Sequence, residues 1–169
     1  MGFFWLAIPI SGVAQAVNKR MSEGREPAQY FGGGLVLNAL SAVAIGAVVL
    51  SISWYFRTTG TYDQTIVRVL VNYDLEIVAL LAGAAAIRTN LAGLRGQKLV
   101  ARAGGMRAVD RVLRSTIQIA MILAGLGVAA ISLGHAVSLL FVSVLALVLA
   151  PTRPSLPGRR HVRSLVTYA

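Results

Sequence analysis

Hydrophobic positions in this chain come in blocks of membrane-crossing length, and polar positions gather between them. Phe31–Phe56 is the strongest block, 26 residues with no formal charge, ample for a hydrocarbon layer of about 30 Å with some tilt. Gly32–Gly34 opens it with flexible backbone, and Trp54, Tyr55 and Phe56 close it as an aromatic belt. Phe3–Val17 is shorter, about 22 Å as a helix, and Pro9 loosens it. Nothing basic stands before Phe3, while Lys19 and Arg20 follow the block. That order fits a span with an outer N-terminus better than a signal peptide. The block at 69–94 is interrupted by Asn72, Asp74 and Glu76. Read as a helix over 75–94, it places the acids at its N-terminal end, where they complement the helix dipole.

Ile117–Ala150 runs for 34 residues without a charge. As one helix it would reach about 51 Å, too long for a single crossing. Basic residues flank both its ends, which favours a hairpin with arms 117–133 and 135–150 turning near Gly134; the rival is one tilted span. The expected fold is therefore all-α: a polytopic transmembrane bundle over residues 1–150. It has four to five spans, near 3–17, 31–56, 69–94, 117–133 and 135–150. A basic tail follows over 151–169, extended at first by Pro151, Pro154 and Pro157.

Charge adds an orientation. Arg88–Ser115 holds seven of the sixteen Lys and Arg residues, namely Arg88, Arg95, Lys98, Arg102, Arg107, Arg111 and Arg114, against one acid, Asp110. The tail carries Arg153, Arg159, Arg160 and Arg163 with no acid, whereas 57–76 has more acids than bases. Positive-inside asymmetry then places the basic loop and C-terminus in the cytoplasm and the N-terminus outside. Within the loop, Met106, Val109, Val112 and Leu113 recur at helical spacing opposite Arg107, Arg111 and Arg114. This predicts a short amphipathic helix on the inner surface, with the seven cations touching anionic headgroups or partner surfaces.

Composition then excludes chemistry. With no cysteine, thiol nucleophiles, thiolate metal sites and iron–sulfur clusters are ruled out. His135 is the one histidine in an apolar run and lacks a second ligand, since His161 is in the tail; a turn position suits it better than a haem or metal site. No P-loop, nucleophile elbow or metal-binding His/Glu motif occurs, so no catalytic, cofactor or metal residues are expected and the chain reads as no enzyme. The basic loop lacks interleaved aromatics that would stack bases, so specific nucleic-acid binding is not expected. Asp74 and Glu76 are candidate ion-site acids, though capping and anchoring a span explains them more simply. Small-xxx-small pairs suit close helix packing: Gly12 with Ala16, Ala42 with Gly46, Ala79 with Gly83, Gly125 with Ala129, and Ala130 with Gly134.

The order of features resembles one family. An apolar segment leads to the short polar loop from Asn18 to Pro27 and then a span ending Trp54-Tyr55-Phe56. The segment from Leu75 to Arg88 follows, then Gly104-Gly105 and a basic approach to another span. This resembles, over about Phe3 to Gly125, the DotE/IcmC group of small inner-membrane proteins of type IVB secretion and conjugation systems. The resemblance implies a non-enzymatic subunit of an export assembly and brings no catalytic residues with it. Two other classes stay open: a small channel, transporter or hole-forming homo-oligomer, and an accessory subunit of a respiratory or photosynthetic complex.

Overall fold

The computed structural model describes residues 8–24, 26–60, 65–127 and 129–168. Among them every element is a helix: α1 (Ile8–Ser22), α2 (Pro27–Thr59), α3 (Thr65–Asn72), α4 (Asp74–Gly96), α5 (Val100–Leu123), α6 (Ala129–Val148) and α7 (Arg159–Tyr168). Three of these, α2, α4 and α6, are long and apolar enough to cross a membrane. Of the expected span at 3–17, residues 3–7 lie outside the described residues.

Helix ends follow local chemistry. Pro27 begins α2, where its missing N–H costs nothing, and Gly60 ends it in the left-handed region at φ 69°. Tyr73 separates α3 from α4, and the Asp74 carboxylate accepts a hydrogen bond from the Leu75 N–H at 2.8 Å. After α4 the chain closes a Schellman turn, with the Leu99 N–H on Leu94 and the Lys98 N–H on Arg95. The left-handed position is filled by Lys98, at φ 64°.

Helix α4 is the centre of the bundle, packing against α1, α2 and α6. Its small residues allow the approach. A Cβ on Gly83 would lie 2.9 Å from Leu139 of α6, and one on Gly93 would lie 2.7 Å from the Phe31 ring. Val13, Ala16, Val17 and Met21 form the buried stripe of α1. The outward faces of α2 and α6 are apolar, with Leu40, Val43, Trp54, Phe141 and Val144 all more than half exposed.

The hairpin in 117–150 turns elsewhere than at Gly134. Gly125 and Gly127 take positive φ, 87° and 54°, and the Leu126 N–H reaches back to Met121, so the chain reverses there. Two glycines close together supply the left-handed backbone that a lone Gly134 does not. Gly134 lies inside α6, where a Cβ would meet Gln118 of α5 at 2.7 Å. The basic loop is accordingly not a separate surface helix. Its Val100–Arg114 portion is continuous with residues up to Leu123, making α5 one helix antiparallel to α6.

One end of the bundle gathers the 22–27 connection, the 97–99 turn and the tail; the other gathers the C-terminus of α2, the start of α4 and the 124–127 turn. The cations Lys19, Arg20, Arg95, Lys98 and Arg160 sit at the first end, and Asp74 and Glu76 at the second.

Candidate functional site

At the acidic end, Asp74 is held by its own chain. It accepts from Ser53 Oγ at 2.7 Å and from Arg57 at 3.0 Å, and Arg57 also donates to the Val71 carbonyl at 2.6 Å. These contacts pin the end of α2 to the α3–α4 junction and leave Asp74 8% exposed. Glu76 is half-buried and lines a 360 Å³ apolar cleft with Tyr73, Ile77 and His135. The two acids thus face different surroundings and build no joint site.

His135 lies in α6, away from any turn, with its Nε2 3.0 Å from the Arg114 guanidinium. His161 is at the opposite end, bonded to Glu26. No group of three or more His, Asp or Glu side chains suited to a metal ion occurs among the described residues.

The seven cations of Arg88–Ser115 are distributed by the α4–α5 turn. Arg88 and Arg95 from α4 meet Arg107 from α5 around a 210 Å³ recess that Gln15 and Asn18 of α1 also line. Arg102 reaches the Leu149 carbonyl at 3.5 Å. Lys98 is exposed in the turn, and Arg111 is exposed on α5. Asp110, the acid of the stretch, accepts from Ser138 Oγ at 2.8 Å. Because Ser138 is the middle of α6, Arg111 stands level with the middle of a helix of membrane-crossing length.

The small pairs serve different purposes. Ala16 is fully buried, Gly12 is half-buried, and Ala42 and Gly46 are buried on α2. A Cβ on Gly46 would meet Val78 at 3.2 Å. Gly83 is packed on α6, while Ala79 is half-buried. Gly125 is exposed in the turn with nothing within 4 Å of a Cβ, and Ala129 is the first residue of α6. The pair Gly125/Ala129 therefore belongs to the hairpin turn and not to a packing face of this bundle.

Sequence reading missed the polar pairs buried at the heart of the bundle. Asn38 of α2 donates to Thr89 of α4, and Asn90 donates to the Ser143 carbonyl at 3.0 Å and to its hydroxyl at 2.5 Å. The cue was Thr89-Asn90 directly after Arg88, a polar doublet inside an otherwise apolar helix. The helix at the end of the tail was missed as well. The tail is extended to Gly158 and then forms α7, whose His161 and Leu165 are buried against α1 and α2. Glu26 binds both Arg160, at 2.6 Å, and His161. The hydrogen bond from His161 and the Arg160 charge hold the Glu26 carboxyl below the usual carboxylate range, against some desolvation.

No protein-family model, curated protein or solved structure matches the chain. A multi-pass membrane protein is compatible with its three long apolar helices.

Proposed function

We propose that the chain is a non-catalytic, membrane-embedded subunit of a larger assembly. The observation that carries this is the place of Arg111. It is exposed, and it is level with the middle of α6. If α4 and α6 cross the bilayer, α5 crosses beside them, with Arg111 about 15 Å from either surface. That is beyond the reach of a snorkelling side chain. A lone arginine on lipid at that depth is costly, by about 3 kcal/mol on insertion scales and more in simulations, and such residues face protein or water. The outer face of α5 therefore needs a cover that one copy of this chain does not supply.

A neighbouring subunit with an acidic or polar helix meets that need. The family resemblance read from the order of segments favours a secretion or conjugation apparatus in a bacterial inner membrane, with the cation-rich end of the bundle in the cytoplasm. The proposal extends the set of spans to four or five, α5 and the N-terminal segment joining α2, α4 and α6. The second reading, a channel formed by copies of this chain, is favoured by the same face: a ring of Arg111 side chains around water would select anions.

Gentle purification from native membranes, with mass measurement of the intact particle, separates the two. A particle containing other proteins, lost on Arg111→Glu while the chain still inserts, supports the subunit reading. A particle of this chain alone with an Arg111-dependent anion conductance supports the channel. A stable single copy in lipid, unchanged by Arg111→Glu, would sink both. Sidedness is tested with single cysteines at Gly60, Lys98 and Ser155, since the chain has none of its own. Impermeant reagent should label Gly60→Cys from outside and the other two only from inside.

A further inference from the structure

One face of α4 is a continuous track with two characters. Ile77, Leu80, Leu81, Ala84 and Ile87 line a 580 Å³ apolar cleft closed on one side by α6. Further along the same face, Leu91, Ala92 and Arg95 line the 210 Å³ recess shared with Gln15, Asn18 and Arg107. Arg88 lines both. Spacings of three and four residues keep this stripe on one side of the helix.

We propose that this track binds one anionic phospholipid, its phosphate among Arg88, Arg95 and Arg107 and its acyl chains in the α4–α6 cleft. The proposal rests on the membrane-embedded reading above and names the lipid's place in it. Charge complementarity carries the argument. Three guanidiniums gathered at one recess repel one another, and no carboxylate among the described residues forms an ion pair with any of them. A phosphate accepts hydrogen bonds from several guanidinium forks at once, which an isolated carboxylate does less well. Gln15 and Asn18 add neutral donors at the rim. Basic recesses between spanning helices at the cytoplasmic side are suited to anionic headgroups.

Dimensions separate a lipid from a soluble phosphate. The apolar stretch from Ile87 to Ile77 is about 15 Å long at 1.5 Å per residue, which is half of a hydrocarbon layer of about 30 Å. An acyl chain can lie along a groove of that length. A free anion would have no use for the cleft, and a neutral lipid would have no use for three arginines.

The test is native mass spectrometry of the full chain, purified in detergent and stripped of lipid. It is titrated with phosphatidylglycerol and with phosphatidylcholine of the same acyl chains. One phosphatidylglycerol should be retained at concentrations at least tenfold lower than phosphatidylcholine. Arg88→Gln and Arg107→Gln should each reduce that preference about tenfold, and Arg153→Gln in the tail should leave it unchanged. Glycerol phosphate in hundredfold excess should not displace the lipid. Equal retention of the two lipids, or a preference that survives Arg88→Gln together with Arg107→Gln, would overturn the proposal. So would displacement by glycerol phosphate, which would mark a soluble-anion site. Arg107 is on an exposed helix face, so its variant folds whether or not Arg88→Gln does. The lipid ratio is independent of particle composition: a particle of this chain alone would end the assembly reading and leave this one standing.

Discussion

Helices α4 and α5 are neighbours in sequence and nearly equal in length, 23 and 24 residues, yet they solve opposite problems. Of the two, α4 is enclosed by α1, α2 and α6, and the neutral polar residues in its second half are spent inside the bundle: Thr89 on Asn38, Asn90 on Ser143. In contrast, α5 leans chiefly on α6, buries little beyond Ala103 and Met106, and leaves Arg102, Arg107 and Arg111 exposed. A polar group inside a membrane protein stays either because a neighbour in the same chain satisfies it or because something outside does. On the proposed membrane-embedded reading, the first case specifies the fold of this chain and the second its surroundings.

Glycines give the strongest way to break the comparison. Gly83→Leu in α4 should cost about 3 kcal/mol, an overpacking penalty, because even its Cβ would crowd Leu139 at 2.9 Å. Thermal unfolding in detergent would show it as a large loss of Tm. Next is the buried pair. Asn90→Ala removes the donor to Ser143 and should cost about 1–2 kcal/mol. If Asn90→Ala unfolds like the parent, the polar seam is incidental to stability.

Gly104→Ala in α5 should do the reverse, gaining about 0.5–1 kcal/mol from helix propensity, since nothing lies within 4 Å of its Cβ. A destabilised Gly104→Ala would mean that a neighbour already occupies that face in the sample. Lys98→Gly, in the turn between the helices, should gain up to about 1 kcal/mol by relieving a left-handed backbone.

The smallest effect belongs to the tail. Because the folded Glu26 carboxyl sits below its ordinary range, its contribution is fully present above the unfolded value. It is lost as pH falls through the lowered folded one. Exposed pairs contribute little each, so the readout should be local. Protease cleavage near Arg159 should speed up at acidic pH in the parent and show no such pH dependence in Glu26→Gln.

How far the sequence could be read follows from the same contrast. The blocks behind α2, α4 and α6 were legible because uninterrupted apolar length is a property of the segment itself. The start of α4 at its acids was legible for the same reason, through the dipole. The hairpin was inferred from its basic flanks, but its turn was misplaced by about eight residues. A glycine followed by a histidine looks like a break, whereas Gly125-Leu126-Gly127 makes one by taking positive φ twice. Gly32–Gly34 read as loose backbone and instead receives other segments: a Cβ on Gly32 would strike the Ser155 carbonyl and one on Gly34 would strike Val17. The arginine recess was not legible at all. Arg88 and Arg107 are 19 positions apart, and only the tight turn at 97–99 brings their helices side by side.

The clasp between Glu26 and α7 joins residues 134 and 135 positions apart. A ribosome releases the α1–α2 junction long before it releases Arg160 and His161. Through nearly the whole of translation, that junction therefore waits with its glycine face bare and its acid unmatched. Final closure of the bundle is consequently an event that follows synthesis of α7. A truncation within 159–168 would remove that last contact while leaving α2, α4 and α6 whole.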